Sequence, residues 1–206
     1  MRVKRALTVS DLKAYKAETI DFDGPWLEAI GRPELTGSWI IWGNSANGKT
    51  RFALQLAKYL ARFTKVAYNS FEEGLSVTMR EAIISIGMAD VQRNFLLLDK
   101  ETILELAERL DRPKSPRVVI IDSLQYTGLT YTEYKMLRDR FRNKLFIFIS
   151  HAEGNLPKGN VAKSVRYDAN VKIRVEGYVA RCESRYGGGK EYVIWEKGRQ
   201  EFYDYK

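Results

Sequence analysis

The sequence predicts an α/β chain: a mostly parallel central sheet flanked by helices, with an antiparallel extension toward the C-terminal end. Three observations carry this. Short, nearly continuous runs of Val, Ile, Leu and Phe alternate with segments of helical periodicity from Ser38 to Ser150, the pattern of parallel strands covered on both faces. A glycine-rich loop joins the first apolar run directly to the first periodic segment. Past residue 151 the alternation is lost, and strand-like runs follow one another with hardly any helix between them.

Taken in order, residues 1–37 are mixed and polar and are punctuated by Gly24-Pro25, Gly31, Pro33 and Gly37, which predicts a short lead segment followed by turns. The bulky run from Ser38 to Trp42 reads as a buried strand. Beyond the glycine-rich loop, Ala53, Leu56, Ala57, Leu60 and Ala61 recur at helical spacing. Lys65 to Ser70 is expected to be a strand, LSVTMREAIISIG a helix, NFLLLD a strand and TILELAERL a helix. Arg117 to Asp122 and Lys144 to Ser150 are further strands, separated by a basic helix around Tyr134 to Arg142. VKIRVEG, YVARCES and KEYVIWE are the late strands, and Gly187 to Gly189 marks a tight connection of the kind that joins antiparallel neighbours.

The chain has 206 residues, enough to bury one sizeable core and too few for two ordinary enzyme domains. With 45% apolar and 29% charged residues it has the composition of a soluble globular protein. The basic N-terminus, MRVKRALTVSDLK, lacks the apolar run of a secretory signal, and no stretch approaches the roughly 18–20 apolar residues of a membrane span, so a cytoplasmic location is expected. Cys182, the single cysteine, cannot form an internal disulfide, and together with one histidine it cannot build a protein-only zinc site. A formal charge of +8 favours polyanionic partners, nucleic acid foremost.

The glycine-rich loop, Gly43-Asn44-Ser45-Ala46-Asn47-Gly48-Lys49-Thr50, matches G-x-x-x-x-G-K-[ST] without a mismatch. Its glycines allow backbone angles that turn successive N–H groups inward, where they and the following helix N-terminus hold phosphates. Lys49 supplies a point charge to the outer phosphates of ATP, the Thr50 hydroxyl a ligand for Mg2+, and Arg51 completes the expected nucleotide-binding set. Asp122 ends the most apolar strand, at the edge where ligands bind in open parallel sheets, and is the second expected metal group. Glu72 and Glu73, just after the second strand, are candidates to activate water; Glu72 is preferred, and adjacent positions point to different sides.

These residues together resemble the RecA-like P-loop ATPases, and within them the RadA and DnaB branch, over a span from about Ile20 to the end. NSFEEG looks like the segment carrying that branch's catalytic glutamate, which implies Glu72. Val118 to Gln125 is similar to the family's Walker B strand with its trailing Asp-Ser-hydrophobic-Gln, and ISHAEG lies where the family carries a γ-phosphate sensor, which implies His151. EKGRQ is similar to the family's Lys-x-Arg pair and implies Lys197 and Arg199 as cations reaching into a neighbouring subunit's ATP. Without a zinc-binding cysteine cluster or a helical N-terminal domain, the chain looks more like a compact, phage-type recombination ATPase core.

The resemblance also implies where single-stranded DNA would bind: in the stretches 125–133 and 152–166. Tyr126 and Tyr131 offer rings for stacking, and Lys158, Lys163 and Arg166 offer charge for a backbone. The charge-rich run from Leu137 to Lys144 is a competing surface. The whole is expected to be one RecA-like domain, with a lead segment (1–37), a nucleotide-binding core (38–150) and a part carrying the sensor, DNA loop and C-terminal strands (151–206). The expected function is an ATP-dependent single-stranded-DNA-binding recombination or annealing ATPase that assembles as a homo-oligomeric ring or filament with ATP between subunits. A DnaB-like helicase motor core and an ATP-switched regulatory binding module are the alternatives.

Overall fold

A computed structural model describes residues 5–204; the first four residues of the basic lead and the final two of the C-terminal segment lie outside the described residues. The lead segment is not turns alone. Helix α1 (Val9–Ala14) is started by a capping box in which Thr8 and Asp11 satisfy each other's backbone N–H, and none of its side chains is buried. Helix α2 (Gly24–Ile30) has Pro25 in its first turn, where the missing N–H costs nothing, and buries Trp26, Ala29 and Ile30. Gly24-Pro25 marked a helix start rather than a turn.

Strand β1 (Gly37–Gly43) feeds the glycine-rich loop and helix α3 (Lys49–Leu60). Strand β2 (Val66–Ser70), helix α4 (Val77–Ser85), strand β3 (Phe95–Asp99) and helix α5 (Ile103–Asp111) follow. Then come strand β4 (Val118–Asp122), helix α6 (Tyr131–Arg140) and strand β5 (Leu145–Glu153). Helix α6 begins ahead of the expected Tyr134 because Thr130 and Glu133 form a capping box.

The stretch 152–166 is not an open loop: β5 runs on to Glu153, pairs with the short strand β6 (Leu156–Pro157), and is followed by helix α7 (Asn160–Asp168). Strands β7 (Val171–Glu176) and β8 (Val179–Ser184) form the expected hairpin. Of the run KEYVIWE only β9 (Tyr192–Val193) pairs as strand, and Glu196 opens helix α8 (Glu196–Asp204).

The sheet order is β3-β2-β4-β5-β1-β7-β8-β9, parallel as far as β7 and antiparallel beyond it. Alternation along each strand divides the core in two. Trp39, Ile41, Tyr68, Ile120 and Ile147 pack beneath α2, α3 and α4, whereas Ile40, Trp42, Ile121, Phe146 and Phe148 pack against α5, α6 and α7. Burial of each such side chain contributes about 1.5–3 kcal/mol, so these two layers rather than helix propensity hold the sheet flat against its helices.

Cys182 sits buried in β8, and that burial pushes its thiol up to about 12. The thiolate, which is the nucleophile, is therefore nearly absent near neutral pH. Iodoacetamide at pH 8 is expected to leave the folded chain unmodified and to label it fully in denaturant; rapid labelling of the folded chain, read by mass spectrometry, would contradict that placement. No helix among the described residues is long and apolar enough to cross a membrane.

Candidate nucleotide site

The loop between β1 and α3 is shaped by close approach. A Cβ at Gly43 would meet the Val175 carbonyl oxygen at 2.1 Å, so only glycine can end β1 this near to β7. Gly48 holds a left-handed φ of 93° immediately before α3, whose first N–H groups then point into the loop. Asn47 fastens the loop from below. Its Oδ1 accepts from the Gly177 N–H at 2.8 Å, its Nδ2 donates to the Ser45 carbonyl at 2.8 Å, and its own carbonyl accepts from the Tyr178 N–H at 3.2 Å. Asn47, read from the sequence as a phosphate-loop residue, thus has its side chain committed to the β7–β8 turn.

Lys49 Nζ lies across the loop and donates to the Asn44 carbonyl at 2.8 Å. Burial pulls its pKa down, opposed by the charges of Asp122 and Glu72, so all three groups share one electrostatic site. Thr50 and Arg51 occupy the first turn of α3. The Arg51 guanidinium lies 5.5 Å from the centre of the Trp195 ring, just ahead of α8.

Strand register explains where Asp122 points. Tyr68 pairs with Ile120 and Ser70 with Asp122, so Tyr68 and Asp122 face the same side of the sheet, beneath α3 and the loop. The Asp122 carboxylate is 5% exposed and accepts a 2.5 Å hydrogen bond from the Tyr68 hydroxyl. Burial pushes Asp122 up to about 6; Glu72 and Glu73 add to the rise, while the Tyr68 hydrogen bond and Lys49 oppose it. The peptide bond between Asp122 and Ser123 is cis.

The two adjacent glutamates divide as the spacing required. Glu73 Oε2 accepts from the hydroxyls of Thr78 (2.8 Å) and Ser76 (3.4 Å) at the start of α4. Glu72 turns the other way, toward the ends of β4 and β5. Its Oε2 lies 3.2 Å from His151 Nε2 and accepts from the Ser123 hydroxyl at 3.4 Å. His151 stands on β5 directly opposite Gly43, and the Tyr126 ring meets it edge-on at 6.0 Å.

Gln125, expected from the sequence only as the start of the DNA-binding stretch 125–133, ties these pieces together. Its Nε2 donates to Ser150 Oγ and to the Lys158 carbonyl, each at 2.9 Å, and its Oε1 accepts from the His151 N–H at 3.1 Å. Tyr68 had no sequence signal at all, being one aromatic within an apolar strand.

Of the remaining expected residues, Tyr126 and Lys158 border this cluster, while the others have their partners elsewhere. Lys197 and Arg199 lie on α8, and their ion pairs are one turn along the same helix, to Glu201 and Glu196. Among the nucleic-acid candidates, Tyr126 is exposed, but Tyr131 donates to Asp168 at 3.2 Å and Lys163 pairs with Glu153 at 2.9 Å. Arg166 lies over the Trp42 ring at 5.3 Å and pairs loosely with Glu183 at 3.9 Å. Lys158 is held through its backbone, by His151 and Gln125.

This site could hold a triphosphate and a hard cation: loop N–H groups with a lysine, and beside them a hydroxyl and a buried carboxylate that the Tyr68 hydrogen bond and the Lys49 charge partly compensate. The sheet order, the loop at its C-terminal edge and the antiparallel end strands define a RecA-like α/β fold. In structure the chain is similar to the flagellar accessory protein FlaH from Methanocaldococcus jannaschii, with a TM-score of 0.62 and 16% sequence identity over 87% of this chain and 96% of that one. What the two share at this identity is the fold. No family model matches the sequence, and no curated protein matches it.

Proposed function

We propose that this chain binds ATP with Mg2+ at residues 43–51 and hydrolyses it. One observation carries the reading: Lys49, Glu72, Asp122 and His151 converge where β1, β2, β4 and β5, four adjacent strands, come to their C-terminal ends. Thr50 and Asp122 would hold the cation, which when bound would supply positive charge to the phosphate oxygens. Lys49 exchanges the Asn44 carbonyl for the outer phosphates, and the loop N–H groups hold the inner ones. Glu72, oriented by His151, takes a proton from the attacking water as its oxygen bonds to the γ-phosphorus and the bond to the bridging oxygen breaks, leaving ADP and phosphate.

The finer reading is a compact RadA/DnaB-type recombination ATPase, cytoplasmic, that assembles on single-stranded DNA as a homo-oligomer. A formal charge of +8, the exposed Tyr126 and the adjacent Lys158 support DNA binding; the exposed Lys197 and Arg199 suit delivery to a neighbour's nucleotide. ATPase rate measured against protein concentration, with and without single-stranded DNA, tests both. Turnover should rise cooperatively with concentration, increase with DNA, and lose its DNA response steeply as salt is raised. If saturating oligonucleotide changed neither turnover nor assembly at low salt, the DNA role would be withdrawn and the ATPase kept.

That a flagellar accessory protein shares the fold favours a second reading, an ATP-switched binding module for a protein partner. A DnaB-like motor is distinguished by strand displacement on a forked duplex.

A further inference from the structure

We infer that Tyr68 is a positioning residue for the metal-binding carboxylate of Asp122, holding one oxygen so that the other is left for the cation. The inference rests on the proposed nucleotide-binding reading and names a residue that the loop motif does not include. Tyr68 is fully buried in the middle of β2, and its ring runs along the sheet face under α3 to reach a carboxylate that belongs two residues further along the paired strand. The ring is therefore clamped by the core while its hydroxyl touches the site.

The 2.5 Å contact engages Oδ2, and among the described residues Asp122 Oδ1 makes no hydrogen bond. A carboxylate so nearly enclosed is free to turn about its last bond unless something pins one oxygen. A partner that fixes the orientation of a liganding group is commonly worth about 10- to 100-fold in metal affinity. A phenylalanine would pack the same space, since the phenol differs from it by one oxygen. The strand therefore does not need tyrosine for its apolar contacts, and the hydroxyl has Asp122 as its partner.

The test is Tyr68→Phe in the full chain, with two binding measurements. ATP affinity in EDTA reads the phosphate loop alone, and Mn2+ affinity of the ATP complex, followed by the loss of the free-ion electron paramagnetic resonance signal, reads the metal ligands. The expected result is EDTA affinity within about twofold of the parent and Mn2+ affinity about tenfold weaker. In an Asp122→Asn background, where no carboxylate remains to be held, adding Tyr68→Phe should change Mn2+ affinity little; that pair also keeps the comparison open if the single variant melts early. Unchanged Mn2+ affinity overturns the inference, and so does an equal loss in EDTA, which marks a merely structural role. A parent chain that binds no ATP in EDTA and gains nothing with Mn2+ instead overturns the ATPase reading itself.

Discussion

Lys49→Ala is expected to weaken ATP binding by about 10- to 100-fold, the consequence of losing a charge-assisted hydrogen bond worth about 1.5–3 kcal/mol at about 1.4 kcal/mol per tenfold. The geometry favours the upper part of that range. In the structure Lys49 is drawn across the loop to a backbone carbonyl and is partly buried, so its side chain is already ordered at the loop and little ordering remains to be done. The alanine should leave the fold intact, because it suits a helix N-terminal turn and the loop is fastened by Asn47 to the β7–β8 turn independently of the lysine. Calorimetric titration with ATP and Mg2+, beside a thermal melt of the same sample, is the measurement. Undiminished affinity in a folded Lys49→Ala chain would remove the basis of the nucleotide reading.

The second large effect should come from Glu72→Gln, with turnover reduced by about 10²- to 10⁴-fold and ATP still bound. An amide keeps the shape and one acceptor oxygen but cannot take a proton from water. Glu73→Gln is the matched control: Glu73 accepts hydroxyls at the start of α4 and faces away from His151, so its turnover should stay within about threefold of the parent. A reversal of the two results would move the catalytic assignment to Glu73. If Glu72→Gln abolished turnover but left every cellular role intact, hydrolysis would be incidental and the binding-module reading would gain.

Much of the architecture was legible because each signal was local. Alternating apolar runs and helical periodicity give the strands and helices from β1 to β5 in order, and a loop with its lysine and hydroxyl is a contiguous pattern. The misread parts depended on partners distant in the chain. Helix α2 exists because Trp26 stacks on Tyr59 and Tyr192, with ring centres 5.3 and 4.2 Å away. Residues 160–168 read as a loop because their apolar positions are few, yet Ala162 and Val165 find a buried face against the sheet. The polar choice of Glu72 over Glu73 was open at the level of spacing, and was divided by Thr78 on one side and His151 on the other.

The amino-acid sequence by itself determined the sheet-and-helix class, the glycine-rich loop between β1 and α3 and the acid that ends β4, because period and contiguous motif are properties of neighbours in the chain. Only the tertiary structure decided that Tyr68 holds Asp122, that Gln125 binds the backbone at residues 151 and 158, and that Tyr131, Lys163 and Arg166 are engaged within the chain. Those outcomes depend on strand order and register, which bring together groups separated by tens of residues, and no local pattern of residue types encodes a hydrogen bond across that distance.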